Sequence, residues 1–386
     1  MASHGIARTA PTARSAQARE QELRKIETYN TLVAEVQALR ASGTYNPAAL
    51  TTTATLLTQN PEFNSIWNYR RQILLHLLSA SEAAADKLQL ISSELRLLIP
   101  LLQSYPKCYW IWNYRIFLLQ TSSEQLAAET AVEVWQGEMK LVDKMLGRDA
   151  RNFHGWGYRR GVVRSIEELQ RKIHSGGEGE GGGGDYSLVE DEFAYTTAMY
   201  QKNLSNFSAW HNRSKLIPRL LDERGANTEE RRTFLDGELG IMQEALFTDP
   251  YDQSLHLYHH WLVSSTCSPT LDAGVEGFVP LEPEQQFEIL LRTLEWMKEL
   301  LEEEPECRLL LEELIFIAGL VRRAVITGGG ADKAGSTQLP AGEVDVSLLK
   351  QDIHSWLAKL AIVDPMRAGR WQELTEGLTT GTDTIL

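Results

Sequence analysis

The sequence predicts an all-α fold, an α-α superhelix in which antiparallel helix pairs stack as a right-handed solenoid. Three observations predict it. A tryptophan recurs at a near-constant interval, the segments between these tryptophans carry apolar residues at helical spacing, and no segment alternates apolar and polar residues as a half-buried strand does.

The interval defines the repeat. Trp67, Trp112 and Trp156 follow one another after 45 and 44 residues, and Trp210 comes 54 residues later. That longer step contains the Gly-rich run from Ser175 to Gly184, without which it returns to 44 residues. His256 takes the tryptophan position in a fifth copy, Leu311 in a degenerate sixth, and Trp371 restores it in the last. Arg70, Arg115, Arg159 and Arg213 each stand three residues after a tryptophan.

Each element follows from this frame. Ala18 to Leu39 reads as a long, charged first helix. Pro61, Pro106, Pro250 and Pro365 stand six residues before the tryptophan position, where proline ends an incoming helix. Asn152, Asn206 and Asp252, four residues before it, are suited to cap the next helix by accepting from its free amides. From the tryptophan onward the spacing is helical: Trp67 with Leu74, and Trp112 with Ile116 and Leu119, share one face. The partner helices are the amphipathic stretches Leu88 to Leu102, Val132 to Leu146 and Gly237 to Ala245 with Met242.

The domain plan is one repeat domain over residues 20–375, between a disordered tail (1–19) and a C-terminal tail (376–386). Flexible insertions are expected at 175–184, 264–285 and 327–340, on their glycines and on Pro269, Pro280 and Pro283. Arg8, Arg14 and Arg19, with no acid before Glu20, loosely match a transit peptide, but Pro11 interrupts the only stretch that could form its amphipathic helix.

Composition narrows the function. A formal charge of −14 argues against nucleic acid and anionic membranes as partners. The acidic runs Glu299 to Glu306 and Glu312–Glu313 read as solvated helix faces. Cys108, Cys267 and Cys307 lie far apart with no CxxC pair or neighbouring histidine, so the sequence holds no disulfide framework and no zinc site, and a reducing, cytoplasmic compartment fits. The longest apolar stretches, such as Leu314 to Leu320, are too short for a transmembrane segment. The repeated tryptophans read as core, and the arginine set as bridges between neighbouring helices through its five donors. Some of those arginines are candidates for a partner interface.

The motif Pro-x5-Trp-x2-Arg at this period resembles the repeat of protein prenyltransferase α subunits. Within that family, Asn152-Phe153-His154 with Tyr158-Arg159-Arg160 is similar to the Rab geranylgeranyltransferase (type II) α subunit. So are Asn206 to His211 with Leu216-Ile217-Pro218, and Asp249-Pro250 leading to Asp252-Gln253-Ser254 and Tyr258-His259. The resemblance covers about residues 20–375. His256 and His260 are read as standing where the family has tryptophan and arginine, so the fifth repeat is expected to pack differently. The chain has no room for the immunoglobulin-like and leucine-rich domains of animal relatives, which suggests a minimal version of the subunit.

What the resemblance implies is a heterodimeric enzyme that joins a geranylgeranyl group from geranylgeranyl diphosphate to C-terminal cysteines of Rab GTPases. A β subunit is implied as partner and as holder of the zinc and most of the lipid pocket, and a Rab escort protein as the recruiting partner, docking on an acidic and apolar patch. No cofactor is expected in this chain. Lys107 and Tyr109 match the family's Lys-x-Tyr and are implied to stabilise the leaving diphosphate and to donate a hydrogen bond beside it. Arg151, Asn152 and His154 are implied to lie near diphosphate and peptide, although packing at the subunit interface also accounts for His154. Phe153 replaces the tyrosine of farnesyltransferase, so a hydroxyl contact is lost there. His4, on the tail, is a remote candidate to reach a partner's metal against a plain tail residue. Two alternatives stand beside this reading: the α subunit of a CaaX farnesyltransferase or geranylgeranyltransferase type I, and a non-catalytic helical-repeat scaffold.

Overall fold

The computed structural model describes residues 15–175, 186–267, 278–328 and 344–380. His4, most of the Gly-rich runs and the last six residues fall outside them. Among the described residues the regular structure is helical, with no strand. The chain divides into two compact units, Met1–Tyr186 and Ser187–Leu386.

The first unit contains α1 (Ala16–Ala41), α2 (Pro47–Gln59), α3 (Asn64–Ala80), α4 (Ala84–Ser104), α5 (Tyr109–Gln125), α6 (Ala128–Arg148) and α7 (Phe153–Ser175). Helices pack as the consecutive pairs α2–α3, α4–α5 and α6–α7, while α3, α5 and α7 also touch in turn. The second unit contains α8 (Val189–Lys202), α9 (Phe207–Glu223), α10 (Thr228–Thr248), α11 (Gln253–Cys267), α12 (Pro283–Glu303), α13 (Arg308–Gly328), α14 (Val346–Val363) and α15 (Ala368–Thr380). There the pairs are α8–α9, α10–α11, α12–α13 and α14–α15, with α9, α11 and α13 touching in turn.

Several expected boundaries shift. Ser15 caps α1, so residues 16–19 are helical rather than tail. The expected insertion at 264–285 is narrower, because α11 runs on to Cys267 and Pro283 opens α12 from its first turn, where proline's missing N–H costs nothing. Ser175 closes α7, residues 327–328 close α13, and residues 376–380 belong to α15 rather than to a tail.

The tryptophans of the first four repeats are buried and do a second job. The indole Nε1 donates to the carbonyl six residues back: Trp67 to Pro61 (2.8 Å), Trp112 to Pro106 (2.9 Å), Trp156 to Ala150 (2.9 Å) and Trp210 to Leu204 (2.7 Å). The ring thus satisfies a turn carbonyl that no helix could use. His256 does the same with Nε2, 2.8 Å from the Pro250 oxygen. The fifth repeat therefore keeps the contact although it lost the tryptophan.

These carbonyls also stitch neighbouring repeats. Cys108 donates to Pro61 (3.5 Å), Asn152 Nδ2 to Pro106 (3.2 Å) and Cys307 to Pro250 (3.1 Å), each from the position four before its own repeat's tryptophan site. Burial pushes both thiols up, so they remain protonated donors.

The arginines complete the frame. Arg70 on α3 makes a bidentate pair with Glu94 on α4 (2.7 Å twice), and Tyr114 on α5 donates to the same carboxylate at 2.8 Å. Arg115, Glu138 and Tyr158 repeat the arrangement on α5, α6 and α7, and Arg213, Glu238 and Tyr258 on α9, α10 and α11. All nine side chains are buried. Burial raises the three tyrosines well above their ordinary pKa, which keeps them as donors to the carboxylate. Arg159 is buried and pairs with Asp143.

The fifth repeat inverts this chemistry and corrects the reading of two residues. Counting three from His256 gives His259, not His260, at the arginine position, and Glu313 on α13 stands where other repeats carry the tyrosine. His259 Nδ1 and His260 Nδ1 each lie 3.1 Å from a Glu313 oxygen. Glu313 is therefore buried rather than on a solvated face, its charge met by two imidazoles.

Candidate functional site

The sequence-predicted site residues gather at the N-terminal ends of α5 and α7, in the first unit. Lys107 and Arg151 occupy the same register, five residues before Trp112 and Trp156, and both are exposed. Tyr109 (56% exposed) and Phe153 (62% exposed) each open a helix. The Tyr109 ring meets Phe153 edge-on at 6.1 Å and His154 edge-on at 4.2 Å, which makes one aromatic cluster of the two helix starts.

A buried frame holds this exposed rim. The Pro106 carbonyl, next to Lys107, accepts both the Trp112 indole and the Asn152 amide. Asn152 is buried, and its Oδ1 accepts from the His154 and Gly155 amides at 3.0 and 3.3 Å, capping α7. Asn152 thus positions the site without facing it. A methyl group on Gly155 would lie 2.9 Å from Leu146 Cδ2, so glycine lets the start of α7 close on α6. Below the rim the Trp112 and Tyr158 rings pack at 5.0 Å.

The electrostatics suit an anion. Two cations in one register flank hydrogen-bonding side chains, and the N-termini of α5 and α7 add positive potential. Burial lowers the His154 pKa, so at neutral pH the imidazole is uncharged and offers one donor and one acceptor. Among the described residues, no three or more His, Cys, Asp and Glu side chains are grouped to hold a metal ion.

Comparison with known proteins follows the same lines. The protein prenyltransferase alpha subunit repeat family matches at residues 47–77, 91–122, 135–166 and 189–220. The geranylgeranyl transferase type-2 subunit alpha of Saccharomyces cerevisiae is 38% identical over 252 residues, 64% of this chain and 68% of that one. The corresponding Candida albicans subunit is 32% identical over 391 residues, covering 93% of each chain. The chain belongs to the geranylgeranyl transferase type-2 α-subunit family. A chain in the solved structure of Candida albicans protein geranylgeranyltransferase-I complexed with GGPP shares the fold, with a TM-score of 0.57 and 17% identity over 91% of each chain.

Within this type-2 α-subunit member, the sequence pointed to the exposed residues and missed the buried carboxylates of the repeat frame. Glu94, Glu138 and Glu238 lie 27, 26 and 28 residues after Trp67, Trp112 and Trp210, a second periodic signal hidden inside amphipathic helices. The shared register of Lys107 and Arg151 was legible in the same way.

Proposed function

We propose that this chain is the α subunit of a Rab-directed protein geranylgeranyltransferase, active as a heterodimer with a β subunit. The reaction joins a cysteine sulfur to the first carbon of geranylgeranyl diphosphate, and the carbon–oxygen bond breaks with its electron pair leaving on diphosphate. A zinc ion held by the β subunit would lower the pKa of the substrate cysteine, so that it would lose its proton to solvent and attack as the thiolate. The residues of this chain act on the leaving group. Charge grows on the diphosphate oxygens as the bond breaks, so a cation already in place favours the transition state over the ground state. Lys107 supplies that cation, Tyr109 donates a hydrogen bond from its hydroxyl, and Arg151 adds a second charge one repeat away. His154, uncharged, hydrogen-bonds the diphosphate or the peptide.

The observation that carries this reading is the exposed pair Lys107 and Arg151 at one register, above a carbonyl that ties their repeats together. The type-2 relatives favour it over a CaaX-type subunit or a non-catalytic scaffold. The further partners are the Rab substrates and an escort protein that presents them, and the compartment is the cytoplasm. No helix among the described residues is long and apolar enough to cross a membrane. Reconstitution with candidate β subunits tests the proposal. Geranylgeranyl transfer to a Rab with a double-cysteine tail, presented by escort protein, is expected; preferential transfer to a CaaX peptide would overturn it.

A further inference from the structure

One tryptophan is left out of the repeat frame, and it stands beside Lys107. Of the ten tryptophans, each of the other nine hydrogen-bonds through Nε1 or meets an aromatic ring or a lysine ammonium. The half-buried indole of Trp110, in the first turn of α5, does neither among the described residues. A ring that keeps apolar surface and an N–H donor open together suits a binding surface, where tryptophan is enriched.

The register shows that the fold does not require this ring. Two residues before the tryptophan position, the first, fourth and fifth repeats carry Ser65, Ser208 and Ser254, whereas the second and third carry Trp110 and His154. His154 belongs to the candidate site and meets Tyr109, one repeat back, at 4.2 Å. The residue in the Tyr109 register one repeat before Trp110 is Asn64, exposed and without a ring. Trp110 is thus the counterpart of His154, set toward the start of α3 as His154 is set toward the start of α5.

The two sides of Lys107 differ in chemistry. Arg151, toward α7, adds a second cation. Toward α3 stand Glu62 and Asn64, both exposed, and Glu62 holds the register of Lys107 and Arg151. The starts of α3 and α5 are close: Cys108 donates to Pro61 at 3.5 Å, and burial together with the neighbouring Glu62 carboxylate pushes its thiol up. A carboxylate repels diphosphate, so this side does not extend the leaving-group site. An isoprenoid chain has no partner for a carboxylate, an amide and an indole N–H. A polypeptide offers amides and carbonyls to all three, and apolar side chains to the ring. Lys107 and Trp110 are three residues apart, so their Cα atoms lie within about 11 Å, the span of roughly three extended residues.

We propose that Trp110 is a specificity-determining residue that binds the C-terminal tail of the acceptor protein. Its ring packs on the side chains next to the reacting cysteines, and Glu62 and Asn64 hydrogen-bond the tail backbone. The inference rests on the proposed function and deepens it: Lys107 and Arg151 take the diphosphate, and Trp110 takes the polypeptide that brings the sulfur.

The test uses the reconstituted heterodimer and two escort-presented Rab acceptors. One carries leucine and phenylalanine beside its double cysteine, the other glycine and serine. Transfer is measured for wild type, Trp110→Ser, Trp110→Phe and Lys107→Ala. Trp110→Ser introduces the residue of three other repeats, so the fold is retained. With the apolar tail it is expected to lower kcat/KM about tenfold, the scale of truncating an interface tryptophan. With the glycine–serine tail, which offers the ring no apolar side chain, the loss is expected to shrink to about twofold or less. Trp110→Phe, which keeps a ring, recovers most of the rate on the apolar tail. KM for geranylgeranyl diphosphate and the Kd for the β subunit stay at their wild-type values. Equal losses on the two tails would overturn the proposal, as would wild-type rates of Trp110→Ser on both. A raised KM for geranylgeranyl diphosphate would make Trp110 a lipid contact, and a weakened β-subunit Kd would make it an interface residue; either overturns it. Lys107→Ala separates the two levels. If it is slow while Trp110→Ser is not, this inference fails alone; if it also transfers at the wild-type rate, the proposed function fails and this inference with it.

Discussion

Lys107 illustrates how little a single residue says on its own. An exposed lysine in a turn is ordinary, and only the match to Lys-x-Tyr made Lys107 and Tyr109 a candidate pair. What the structure adds is rigidity beneath it, since the adjacent Pro106 carbonyl is fixed by Trp112 and Asn152. In the reconstituted heterodimer, Lys107→Ala should lower kcat roughly 10²–10³-fold, about 3–4 kcal/mol, with KM nearly unchanged, because the charge acts on the departing diphosphate. Tyr109→Phe should lower kcat less. Wild-type single-turnover rates in both variants would remove this chain from the chemistry. Sequence reasoning erred where residue type misled it: His256 reads as a lost tryptophan, yet its Nε2 reaches the same carbonyl as an indole Nε1. His259, three residues after His256, holds the arginine position of that repeat, and His260 is its neighbour on the Glu313 carboxylate.

Between elements, the unit of cohesion is a carboxylate gripped from two sides. Glu94 joins α3, α4 and α5 by accepting from Arg70 and Tyr114. The helices were legible from proline, capping residues and apolar spacing, whereas the glutamates were not, because a lone acid on an amphipathic helix gives no local sign of facing inward. Replacing Glu94 by Gln leaves the Arg70 guanidinium buried without its counter-charge, and should destabilise folding by about 3–5 kcal/mol in urea unfolding. Replacing Arg70, Glu94 and Tyr114 together by apolar residues of similar size should cost much less, and equal losses would argue against the gripped-carboxylate account. At the α11–α13 contact the same logic becomes pH-dependent. Burial pushes the Glu313 carboxyl up, but hydrogen bonds from His259 and His260 outweigh it and carry the pKa from 4.5 to about 2. Its stabilisation is thus complete above 4.5 and is lost as pH falls toward 2. Burial pulls His260 down, but Glu313 outweighs it and the net pKa is raised from 6.5, so its share is complete below 6.5 and is lost as pH rises through the raised value. His256 opposes this below 6.5, since burial lowers its pKa and favours the neutral ring. In a His256→Trp background, the stability lost through Glu313→Gln should therefore be greatest between about pH 4.5 and 6.5. A loss that does not vary with pH would show that these histidines are not the charge partners of Glu313.

At the scale of the whole molecule, the period of the tryptophans carried the all-α fold from sequence to structure, because a repeat that cannot bury its own apolar face must stack on its neighbours. The division at Tyr186/Ser187 was not legible, since the Gly-rich run before it looks like filler in a continuous array. The same scale governs activity. Under the proposed function this chain would offer cations and hydrogen-bond donors to the leaving group, and the partner would hold the lipid pocket and the metal that activates the thiolate. The isolated chain is therefore expected to transfer no geranylgeranyl group, with or without added zinc. Activity should appear on titration with the β subunit and saturate at one partner per chain. Binding to the folded state should also stabilise it, by about 2.7 kcal/mol when the partner is at 100 times its Kd, which thermal unfolding reports as a concentration-dependent rise in Tm. Zinc-dependent prenylation of a double-cysteine peptide by the chain alone would defeat this division of labour, because the nucleophile would then have to be activated by groups within the α chain itself.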